Sequence, residues 1–182
     1  MVPDAWEPGD YRGPTCATCH MSGIGDLSVT NNISERLYWN LWAKESKVRG
    51  SDDVLIPLLG DGPAGREKMK KVCSNCHSPT HTDNFFTHGD KAVMLYNVGY
   101  YQPATKMLNE LKEKKLLKEN PWSDEFQIVY YHLWHHEGRS ARQGAMMGAA
   151  DYAHWHGFFE LQQDLYKLEG IYKQRMESGK IE

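Results

Sequence analysis

Cys16-Ala17-Thr18-Cys19-His20 and Cys73-Ser74-Asn75-Cys76-His77 each set two thiols three residues apart with a histidine directly behind the second, and all four cysteines of the chain fall in these two motifs. A disulfide framework spreads its cysteines among loops, and four would allow three connectivities. Two Cys-x-x-Cys knuckles could instead hold zinc as four thiolates. Against zinc, the stretch between Cys19 and Cys73 far exceeds the usual ribbon separation, and zinc needs neither trailing histidine. With 9 His in 182 residues, a histidine behind both second cysteines is an improbable coincidence. The spacing is that of covalent haem attachment. Cys16, Cys19, Cys73 and Cys76 are therefore the expected thioether positions of two haem c groups, and His20 and His77 the expected proximal iron ligands.

Working outward, residues 1–30 are rich in Gly, Pro, Thr and Asp and read as loop around the first haem. Asn32-Ile33-Ser34-Glu35 has the form of a capping box, with Asn32 as N-cap and Glu35 reaching back. The helix it predicts runs to about Lys47 and buries Leu37, Leu41 and Trp42. Gly50 to Gly65 reads as a connector, and Ala64 to Cys76 as the short helix that delivers the second motif. Residues 83–98 and 104–118 follow as helices, with Gly99 and Pro103 marking a kink or restart between them. Ser123 is placed to cap a helix whose first turn holds Asp124 and Glu125, favourable to its dipole, and which extends to about Met147. A last helix starts near Asp151, with Phe158, Leu161, Leu165, Leu168 and Tyr172 three and four apart along one seam. No β-alternation of useful length occurs, so the expected fold class is all-α: a loop-rich haem-binding region over residues 1–82, then long helices over 83–182.

Composition excludes several classes. The chain is 40% hydrophobic and 25% charged with a formal charge of −3, as in a globular protein, and it has no basic block suited to nucleic acid. No stretch approaches the roughly 20 apolar residues of a membrane span. Met1 to Thr15 carries Asp4, Glu7, Asp10 and three prolines where a signal peptide has a basic start and an apolar centre. Haem is ligated to such motifs outside the bacterial cytoplasm, so the chain is expected to be a mature fragment, or the tail of a longer polypeptide, in an extracytoplasmic compartment.

Each iron has a second face, which takes either another protein ligand for electron transfer or an open position for substrate. His81, His88, His132, His135, His136, His154 and His156 remain for that role. His132 and His136, four apart, share a helical face while His135 lies on another. His154 and His156 are about 200° apart on a regular helix and cannot serve one haem together. The expected distal ligands are His135 or His136, and His156; His81 reads as an exposed loop residue.

Three strings carry a resemblance: Tyr131-His132-Leu133-Trp134-His135-His136-Glu137-Gly138-Arg139, Arg142-Gln143-Gly144-Ala145-Met146-Met147, and Asp151-Tyr152-Ala153-His154-Trp155-His156-Gly157-Phe158-Phe159-Glu160. Together with the two haem motifs and Asp90-Lys91-Ala92-Val93, they resemble the C-terminal region of the octahaem hydroxylamine oxidoreductases and related hydrazine dehydrogenases, over nearly the whole chain. The resemblance implies an extracytoplasmic homotrimer whose C-terminal helices pack together, oxidising hydroxylamine or hydrazine at a specialised haem and relaying electrons through bis-His haems to a partner cytochrome. It implies that Tyr152 matches the tyrosine that crosslinks to the catalytic haem of a neighbouring subunit. It also strengthens His135, His136 and His156 as distal ligands. Most haem motifs of that family, including the catalytic one, have no counterpart here, so the chain alone lacks a complete oxidoreductase site. The rival expectation is a free-standing dihaem cytochrome that only carries electrons.

Overall fold

The first described element is short because both its ends are closed by local hydrogen bonds. Thr15 Oγ1 accepts from the Thr18 amide (3.3 Å) and Thr18 Oγ1 from the Thr15 amide (3.2 Å), a reciprocal cap that starts α1, Cys16–His20. The Met21 and Ser22 amides both turn back to Ala17 O, which ends it. The computed structural model describes residues 14–36 and 62–181. The helix expected from Asn32 to Lys47, with Leu37, Leu41 and Trp42, and most of the connector after Gly50 lie outside these residues.

The described residues form two compact units, 14–36 with 62–83, and 84–181. In the first, a tight turn at Gly25 (φ 60°) pairs Ile24 with Leu27 in both directions, and the Thr30 amide reaches Met21 O. The expected capping box does not form. Asn32 N donates to Thr30 Oγ1, and the Glu35 carboxylate goes to Lys68 Nζ (2.6 Å) rather than back to residue 32. Helix α2, Gly62–Cys73, packs on α1 and ends at the first cysteine of the second motif, so that Cys76 and His77 sit in the turns after it. Ser78 Oγ then accepts from the His81 amide and starts α3, Pro79–Tyr96, four residues before the expected position.

The second unit takes up the rest of α3 and all that follows. Between α3 and α4, Gln102–Glu113, the chain does not kink; it widens into a π-helical segment, Asn97–Tyr101, that spans Gly99 and carries the helix on without a break. The chain leaves α4 through Lys115, at φ 58°. A 3₁₀ turn, Pro121–Ser123, leads to α5, Glu125–Tyr131, whose N-cap is Asp124 rather than Ser123: Asp124 Oδ1 accepts from the Gln127 amide at 3.2 Å. A second π-segment, His132–Glu137, joins α5 to α6, Gly138–Met146. The last stretch runs as α7, Ala150–Ala153, a third π-segment, His154–Phe158, and α8, Phe159–Ser178.

Packing follows the expected seam. Leu161, Leu165 and Leu168 of α8 are buried with Tyr101, Met107, Leu111, Phe126, Val129 and Leu133 from α4, α5 and the π-segments, and Phe158 and Tyr172 flank them. Beneath this core Arg175 makes a buried pair with Asp124 (3.0 Å) and also donates to Leu116 O, which fixes the end of α8 against the start of α5. Two glycines let backbones approach. A Cβ on Gly157 would lie 2.6 Å from Ala141 Cα, and one on Gly138 2.4 Å from Tyr96 Cε2. No strand occurs among the described residues, and no helix there is long and apolar enough to cross a membrane.

Candidate haem sites

The first motif is the better defined. Its helical turn presents Cys16, Cys19 and His20, and none of the four cysteines is in a disulfide. His20 Nδ1 lies 3.1 Å from Ile33 O. A carbonyl oxygen only accepts, so Nδ1 holds the ring proton and Nε2 keeps its lone pair, the tautomer a metal-ligating imidazole needs. The loop around this turn is tied to one side chain: Arg36 donates from Nη1 to Cys19 O (3.1 Å) and from Nη2 to Ser28 O (3.2 Å) and Ser22 O. Burial pushes the Cys19 thiol up, the neighbouring Cys16 adds to this, and Arg36 opposes it.

The second motif follows the same pattern with less support. Cys76 and His77 amides both turn back to Cys73 O (3.1 and 2.9 Å), which folds the motif into a turn. The His77 ring is exposed and stacks on His81 (centroids 4.4 Å, 16° between planes). Burial raises the Cys73 thiol, and Cys19 raises it further, so the two motifs are close enough for their charges to interact. The donor set fits covalently held haem: paired thiols on one turn, a following imidazole with a free ring nitrogen, and no disulfide competing for the sulfurs. A cluster of His, Cys, Asp and Glu arranged to hold a bare metal ion is not found among the described residues.

The expected distal histidines all lie in the second unit, on π-segments. His135 stacks on Tyr131 (4.5 Å, 16°) and its Nε2 meets Arg139 at 3.3 Å, while its Nδ1 is buried without a partner. Burial and the neighbouring Arg139 hold its pKa below the ordinary histidine value. His136 and His156 are exposed, each beside a carboxylate, Glu137 (3.7 Å) and Glu160 (3.9 Å). His132 and His136 do share a side, with ring centroids 6.3 Å apart. Tyr152 is 49% exposed; its phenol meets Ser140 Oγ at 3.2 Å and its ring lies 5.4 Å from that of His156. His88 and His154 are exposed.

Reading the sequence alone missed Arg36 and an acidic group behind the histidine strings. Burial raises Glu137, and it pushes Asp164 up to about 7 with help from Glu137 and Glu160 against Lys167. Glu137 Oε2 and Asp164 Oδ2 are buried without hydrogen-bond partners. Glu137 stood in a quoted string, but nothing in the sequence marked its carboxylate as buried.

Two paired-thiol turns with trailing histidines, carried on an all-α frame, define a c-type cytochrome. Residues 1–121 match the family described as "Seven times multi-haem cytochrome CxxCH", and the chain belongs to it. Its haems are accordingly covalently bound, of the c type, and suited to electron transfer. Among solved structures, a "Hypothetical multiheme protein" superposes with a TM-score of 0.70 at 18% identity, over 96% of this chain. That similarity is one of fold, and the chain spans 47% of the other's length. No curated protein matches the sequence.

Proposed function

We propose that the chain is a two-haem portion of a larger multihaem cytochrome of the hydroxylamine oxidoreductase type, acting outside the cytoplasm. In this reading Cys16 and Cys19, and Cys73 and Cys76, hold the haems through thioethers, with His20 and His77 as proximal ligands. His135, His136 and His156 are the distal candidates, for haems of this chain or of its partners in the assembly. The observation that carries the reading is His20, whose Nδ1 is committed to Ile33 O on the same turn that presents both thiols. Haem bound in this way takes and gives single electrons. The protein's part is to fix ligand orientation, to exclude water and to set the local charge.

The oxidative step, dehydrogenation of hydroxylamine or hydrazine, would use a catalytic haem on another chain or segment, to which Tyr152 is offered. Support comes from its exposed ring, with the phenol oriented by Ser140. A homotrimer packed through the C-terminal helices and a partner cytochrome that accepts the electrons complete the proposal. The second reading, a dihaem carrier without catalysis, needs only the haem family and the two motifs.

Intact and peptide masses, with an absorption spectrum, of the protein from its native source test both. Two covalent haems support the cytochrome assignment at these residues. A haem peptide also linked to the peptide of Tyr152 supports the oxidative enzyme, and haems without that link favour the carrier. A colourless chain with unmodified cysteines would overturn both.

A further inference from the structure

Arg36 is only 2% exposed, yet among the described residues no carboxylate lies within ion-pair distance of it. Its sequence neighbour Glu35 turns to Lys68 instead. Three backbone carbonyls, of Cys19, Ser22 and Ser28, share its terminal nitrogens, and its Nε is buried with no partner. Guanidinium does not give up its proton in proteins, so a full positive charge sits inside this unit with no carboxylate bonded to it among the described residues; Glu35 feels that charge but spends its own hydrogen bond on Lys68. Burying such a charge is costly, and neutral donors would serve to close the same loop. The second motif differs. The cations beside it are balanced, Lys70 by Glu67 and Asp83 and Lys71 by Asp26.

The carbonyl that Arg36 holds at 3.1 Å belongs to Cys19, a thioether position, and the next residue is His20. Reduction of a haem adds one electron and lowers its charge by one, with no bond made or broken. A fixed cation nearby, in a poorly screened interior, therefore favours the reduced form. We infer that Arg36 is a positioning residue that sets the potential of the haem at the first motif: its buried charge, bonded to carbonyls and to no carboxylate among the described residues, holds that haem easier to reduce than the haem at the second. Electrons delivered to this unit by any one-electron donor then rest on the first haem. The inference depends on the haem assignment proposed above for Cys16, Cys19 and His20.

Spectroelectrochemical titration of the full haem-loaded chain tests it, comparing wild type with Arg36→Gln and Arg36→Lys and counting haems by mass in each. With Gln, the reduced-to-oxidised ratio of one haem at fixed potential should fall about tenfold, which is about 59 mV for a one-electron couple, while the other haem stays in place. Lysine keeps the charge but cannot reach all three carbonyls, so its ratio should stay within about twofold of wild type. An unchanged potential in the Gln variant overturns the inference. So does a fall in the Lys variant equal to that with Gln, which would make the hydrogen-bonded geometry and not the charge responsible. If the Gln variant matures without its first haem, its remaining couple identifies the second haem, and the other couple of the wild-type chain must then lie higher; an equal or lower one overturns the inference. A wild-type chain whose first-motif peptide carries no haem would instead overturn the haem assignment itself.

Discussion

The two units are built on opposite terms. Residues 84–181 bury a continuous set of aromatic and aliphatic side chains, from Tyr96 and Tyr101 through Phe126 to Leu168. In residues 14–36 and 62–83 the described buried apolar side chain is Val72 alone, and the other buried side chains are Arg36 and Thr82. Among the described residues, the first unit is tied by directed bonds: the Thr15 cap, the Arg36 fan, and the Lys68–Glu35 and Lys71–Asp26 bridges. Exposed ion pairs of that kind contribute little. Apolar mass of the kind a small unit needs is sparse among these described residues, and porphyrin rings bonded to the cysteines would add to it. Among the described residues, one unit is held by a core of its own side chains and the other by directed bonds around its cysteines.

Preventing haem attachment should break this contrast most visibly. With Cys16, Cys19, Cys73 and Cys76 all changed to Ser, amide hydrogen exchange in α2 should rise toward the unprotected rate, while the amides from Leu161 to Leu168 keep their protection. Equal loss of protection in both units would show that they share one core. Next in size, Arg175→Met leaves the buried Asp124 carboxylate without its cation and should cost about 3–5 kcal/mol in denaturant unfolding. The haem absorption should not move. A change in that spectrum would mean that the long helices support the haem sites directly.

The smallest effect concerns Asp164, whose pKa rises from 3.8 to about 7 on folding. A carboxyl with a raised folded pKa favours the folded state only while protonated. Stability is therefore lost as pH climbs from about 4 through 7, and is level beyond. Asp164→Asn should flatten this dependence and gain on the order of 1–2 kcal/mol at pH 8, less than the full shift because the group keeps some solvent. Thermal unfolding followed from pH 4 to pH 8 reads the difference. Parallel profiles for the two proteins would remove the carboxylate from the account.

The haem motifs and the α8 seam were legible in the sequence because each depends on local spacing alone. The caps were read one residue off at Ser123, since Asp124 both caps α5 and pairs with Arg175, and only the second role fixes which residue turns in. The box at Asn32 failed because Lys68, distant in sequence, competes for Glu35. Arg36 could not be found in advance: three carbonyl acceptors become a site only once the loop has folded around them. The π-segments were read as a kink or as ordinary helix, because a widened turn is set by what packs against it, such as Gly157 on Ala141 and Gly138 on Tyr96.

Those widened turns have a consequence for how the chain tolerates change in length. A π-turn is an α-helix carrying one residue of slack, with the flanking ladders on either side still in phase. His132–Glu137 and His154–Phe158 are such places, each between regular helical turns whose contacts fix where the backbone enters and leaves. Removing one residue there would tighten the turn back to regular helix and swing its imidazoles to a new bearing, while the helices beyond keep their partners. The histidine strings thus stand on hinges of sequence length, where ligand direction can be reset without rebuilding the scaffold.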